Sequence, residues 1–70
     1  MSIRKGTDVE WDWGDSTARG TVTEVHHEKV SRKTKGSTIT RDGTKDDPAY
    51  VIEQDDGTTV LKLKSEVRRA

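Results

Sequence analysis

The 70-residue chain is predicted to be all-β, on three observations. No stretch carries a helical apolar period of useful length. Short runs rich in Val, Ile, Thr and aromatic residues recur along it. Gly or Asp-Gly signals separate those runs.

The first run is Val9-Glu10-Trp11-Asp12-Trp13-Gly14, which holds both tryptophans of a chain with one Tyr and no Phe. Val9, Trp11 and Trp13 alternate with Glu10 and Asp12, giving one apolar and one wet face. The strand spans about Thr7 to Trp13, and Gly14-Asp15-Ser16 is the turn that ends it. A buried tryptophan brings more apolar area than any other side chain, so the core must lie against this strand.

The second run is Arg19 to His26. Val22 and Val25 are three apart, which breaks strict alternation, and a bulge between them would return both to the core. Gly20 permits a sharp bend or a close backbone approach. Strongly bent strands are what a small barrel needs to close.

Residues 29–47 contain only Val30 and Ile39 as branched apolar anchors. Two readings stay open: an exposed hairpin tipped by Lys35-Gly36, or a mobile loop held by few contacts. Asp42-Gly43 is a further turn signal. A clear hairpin follows, Pro48 to Gln54 and Thr58 to Leu63, joined by Asp55-Asp56-Gly57. A two-residue loop sets Ile52 opposite Leu61, and a three-residue loop with Gly57 as bulge sets it opposite Val60. Pro48 lacks an N–H and belongs at the strand's beginning. Ser65-Glu66-Val67 can form a short helical turn. Residues 1–5 read as a flexible N-terminus and 68–70 as a frayed tail. The inventory is that of a small five-stranded SH3-like barrel over residues 6–67, with a long mobile hairpin or loop around 29–47.

Composition limits the function classes. Ile, Val and Leu make twelve of 70 residues, but thirteen basic groups balance thirteen acidic ones, so the charge signature of disorder is missing. With no cysteine there is no disulfide and no Cys-type zinc site. No run reaches the length of a membrane span, and Met1 to Lys5 does not read as a signal peptide. A monomer in the cytoplasm is the default expectation. The charges lie in blocks: residues 29–41 carry five basic groups and no acidic one, and 42–56 carry six acidic and one basic. Opposite blocks suit neighbouring strands with paired wet faces. The basic block can alternatively serve an anionic partner.

Lys5-Gly6, Val9, Trp11, Trp13-Gly14, Gly20, Val22 and Val25 make up the first half of a recognisable pattern. Asp47-Pro48-Ala49-Tyr50, Asp55-Asp56-Gly57 and Val60-Leu61-Lys62 complete it. The pattern resembles the hypervirulence-associated protein Tudor-like family, from about Lys5 to Val67. Gly43-Thr44-Lys45 and Val67 are its less typical positions. The resemblance implies an SH3-like Tudor-type barrel and no established activity. Tudor domains elsewhere bind methylated lysine or arginine in an aromatic cage, and related small barrels bind RNA or ribosomal protein.

A cage needs three or four aromatic faces and often a carboxylate. The chain offers Trp11, Trp13 and Tyr50, with Asp12, Asp55 or Asp56 as acid, yet at least one tryptophan must fill the core. A shallow groove for a peptide or protein is easier to supply. Its expected members are Trp11, Trp13, Tyr50, Asp55 and Asp56, at the barrel end carrying Trp13 and Tyr50. The alternative is weak nucleic-acid binding through Lys29, Arg32, Lys33, Lys35 and Arg41. No aromatic is interleaved with that block, and the sequence pI of about 6.7 is far from the basic values of dedicated binders. His26-His27-Glu28 puts its imidazoles on opposite strand faces, which does not suit a metal. No nucleophile motif or phosphate loop is present, so neither an enzyme nor a cofactor is expected.

Overall fold

The computed structural model describes residues 3–34 and 36–70. Its strands are β1 (Asp8–Trp13), β2 (Ser16–His26), β3 (Lys29–Thr34), β4 (Ser37–Asp42), β5 (Ala49–Glu53), β6 (Thr59–Leu63) and β7 (Arg68–Arg69). A 3₁₀ turn, Lys64–Glu66, lies between β6 and β7. Among the described residues no helix is long and apolar enough to cross a membrane.

The strands form two antiparallel sheets. One has five strands in the order β6-β5-β2-β1-β7, and the other is the β3-β4 hairpin. The chain thus meanders through β1, β2, β5 and β6, then returns to pair beside β1. The strand ladder is open, and the hairpin meets β6 through side chains. Among the described residues the expected five strands become seven, because β3 and β4 form a hairpin of their own and the C-terminus adds a strand.

β1 and β2 are joined by a two-residue turn, with Trp13 opposite Ser16 and Trp11 opposite Ala18. The register of β2 against β5 shifts between Val22 and Glu24. This bulge brings Val22 into the core and packs Val25 against it. Gly20 lies opposite Val9, and a Cβ there would collide with Ile52 Cγ2 and stand 2.9 Å from the Glu53 carbonyl oxygen. Glycine lets β2 and β5 close over Val9.

β5 is buried on both faces, which explains its unbroken apolar run Ala49-Tyr50-Val51-Ile52. One face joins Val9, Trp11 and Val22, and the other joins Val30 and Leu61. The domain therefore has two small cores, one on each side of β5, and the hairpin supplies the second. Ile52 pairs with Val60, the register of the three-residue loop. Gly57, at φ 85°, donates its N–H to the Gln54 carbonyl.

Described residues near both ends of the chain make specific contacts. Ile3 packs on the first core, and the Thr7 N–H bonds the Arg4 carbonyl at 3.0 Å. Met1 and Ser2 lie outside the described residues. The expected frayed tail is β7: Arg68 bridges Glu10 at 2.9 Å and Asp12 at 3.1 Å, and the Ala70 N–H bonds the Asp8 carbonyl. The acidic wet face of β1 thus holds the basic C-terminus in register.

Candidate functional site

β1 outruns its own core. Trp11 is 3% exposed, whereas Trp13, two residues on, is 71% exposed. Both point to the same face, but only Trp11 has β5 residues beneath it. Beside the pair lies a groove of about 450 Å³. β1 and β2 line it with Trp11, Trp13 and Ala18, β4 with Ile39 and Arg41, and β6 with Val60, Leu61 and Lys62, joined by Gln54.

Cross-strand register explains why β4 reaches this groove. Val30 pairs with Arg41 and Arg32 with Ile39, so these four share one hairpin face. That face turns toward β6, carrying Val30 into the second core. Lys29, opposite Asp42, and Lys33, opposite Thr38, occupy the other face. Both are exposed.

The basic segment is therefore divided. Arg32 pairs with Glu24, which also accepts a bond from His26 Nε2 at 2.8 Å. The His26 bond, then the Arg32 bond, holds the Glu24 carboxyl below its ordinary range. Arg41 Nε donates to Glu66 Oε1 at 2.9 Å, and its Nη1 to the Thr40 carbonyl at 3.2 Å. Lys35 lies outside the described residues.

The structure brings Trp11 and Trp13 together but not the rest of the expected peptide site. Tyr50 is 1% exposed and stands between Val25 and Lys62 in the sheet. It faces a separate hollow with Pro48 and Lys64. Burial, followed by the nearby Asp47 carboxylate, raises its hydroxyl pKa. Asp55 lines a third hollow with Arg19 and Gly20. Asp56 Oδ1 caps the turn by accepting the Thr58 N–H at 2.9 Å. The residues missing from the sequence reading are Ala18, Ile39, Gln54, Val60, Leu61 and Lys62. Arg41 was expected, but for a different ligand.

With the open β meander and its groove in place, the comparison with known families is decisive. The model for the hypervirulence associated proteins TUDOR domain matches residues 6–67. The chain belongs to this family. No curated protein and no solved structure matches it.

In this Tudor domain the Asp47-Pro48-Ala49-Tyr50 run is a joint. Asp47 Oδ1 accepts the Ser65 N–H at 2.8 Å, and Oδ2 accepts the Ser65 hydroxyl at 2.9 Å. The Pro48 carbonyl accepts the Lys64 N–H at 2.9 Å. Ala49 and Tyr50 then enter the cores. The 3₁₀ turn so fixed presents Glu66, whose Oε1 accepts both the Leu63 N–H at 2.8 Å and Arg41.

Glu66 ties the Tudor sheet to its hairpin and should make the domain acid-sensitive. Burial pushes its carboxyl up, but the Leu63 N–H and Arg41 outweigh it, and the pKa falls below the ordinary 4.5. A carboxyl depressed by folding stabilises the fold above its unfolded pKa. That contribution is lost as pH drops through the folded value. Urea midpoints of wild type should fall from pH 7 toward pH 3, and Glu66→Gln should be weaker at pH 7 with a flatter decline. Parallel declines in the two proteins would remove Glu66 from this role.

Proposed function

We propose that this Tudor domain is a non-enzymatic binding module that takes a peptide segment of a protein partner in the groove beside Trp13. The exposure of Trp13 carries the reading. A large aromatic left 71% exposed at the rim of an apolar groove resembles the aromatic anchors of protein interfaces. The family supports a binding module, but a shared fold does not name the ligand.

The geometry does not favour an aromatic cage. Tyr50 is buried elsewhere, Trp11 is covered, and among the described residues the groove lining holds no carboxylate. The nucleic-acid reading loses the continuity it needs, since Lys29 and Lys33 lie on the hairpin face opposite to Arg32 and Arg41.

Trp13→Ala should keep the fold and weaken binding of selected peptides by about tenfold or more. Amide shifts on titration should centre on Trp13, Ile39 and Val60. Binding of peptide that leaves these amides unmoved, or that survives Trp13→Ala unchanged, would place the recognition surface elsewhere.

A further inference from the structure

Resting on the groove reading above, we infer that its guest is an extended peptide segment carrying carboxylates beside an apolar side chain. Two observations lead there. Val60, Leu61 and Lys62 are consecutive residues of β6, and all three line the groove. Neighbouring side chains on a strand point to opposite faces, so a groove that touches all three follows the strand's edge. β6 is the terminal strand of its sheet. A guest lying along that edge fits as an extended chain, with one apolar side chain against Trp13 and Trp11.

Charge supplies the second observation. Among the described residues the lining contains two cations, Arg41 and Lys62, and no carboxylate. Arg41 is oriented in advance: its Nε is held by Glu66 and its Nη1 by the Thr40 carbonyl. Guanidinium has five N–H donors, and those on Nη2 have no partner among the described residues. An arginine already held in place loses little freedom when a carboxylate arrives. Lys62 lies close enough to Glu66 to help lower its pKa but forms no ion pair among the described residues. The trio of Arg41, Lys62 and Glu66 keeps one net positive charge. A methylated lysine would meet like charge here, whereas a carboxylate would be attracted.

A random dodecapeptide display library selected on the whole protein tests this. Enriched sequences should place Asp or Glu next to a large apolar residue. Their binding should weaken by about tenfold from roughly 50 to 500 mM salt. It should also weaken about threefold or more in Lys62→Gln, which leaves the Arg41–Glu66 pair intact. Arg41→Gln, checked for folding by its amide spectrum, should give the larger loss. Enriched peptides that bind at Trp13 but are basic, or neutral and indifferent to salt and to Lys62→Gln, would overturn the inference and leave the groove reading standing. A selection yielding no peptide that shifts the Trp13 amide would overturn both.

Discussion

Trp11→Ala is expected to remove about half of the domain's stability. Trp11 is 3% exposed and packs in the core cluster with Val9, Val22, Tyr50 and Ile52. Removing a buried tryptophan side chain costs about 3–5 kcal/mol. Natural domains hold roughly 0.05–0.15 kcal/mol per residue, so a chain of 70 residues has about 4–10 kcal/mol in total. The loss consumes much of that, and no phenylalanine is available to fill the space. Trp13→Ala is the control, with an expected change within about 0.5 kcal/mol because the side chain is mostly in solvent. Urea unfolding followed by circular dichroism measures both. Equal midpoints for the two variants would show that the tryptophans do not divide the work as described.

Gly43→Ala is expected to be nearly as damaging, for a different reason. A Cβ at this position would stand 2.6 Å from the His26 carbonyl oxygen, 2.8 Å from the Ala49 nitrogen and 2.9 Å from the Glu28 carbonyl oxygen. All three are backbone atoms at the junction of β2, β3 and β5, so no side-chain rotation can make room. Overpacking of this kind costs about 3 kcal/mol or more when the backbone must move. Gly57→Ala offers the comparison: its φ is 85° but its surroundings are open, and about 1 kcal/mol is expected from backbone strain alone. Thermal melts should rank Gly43→Ala well below Gly57→Ala. The reverse order would mean that the junction is looser than its distances indicate. Gly43, one of the two atypical spots in the family pattern, thus has a packing reason.

Much of the fold is legible in the residues themselves. Alternation in Val9 to Trp13 marks β1, the Val22/Val25 spacing marks the bulge, and the Asp-Asp-Gly turn marks the β5-β6 hairpin. These are local signals, and local backbone preference determines them. The C-terminal strand escapes the same reading because two arginines carry no strand pattern. Carboxylates of Glu10 and Asp12, 58 and 56 residues away in sequence, hold Arg68 in place.

The site divides along the same line. The sequence by itself determined that the two tryptophans are the largest apolar side chains of the chain and that they share a face. Only the tertiary structure decided which one packs and which one stays in solvent, because the core ends between them. It also removed Tyr50, Asp55 and Asp56 from the groove and put Ile39, Arg41 and Lys62 there. The reason is topological: a groove between β1, β4 and β6 gathers residues that are not neighbours in the chain. Their charges acquire meaning only once Arg32 and Arg41 have turned to Glu24 and Glu66, dividing a continuous basic run between two hairpin faces.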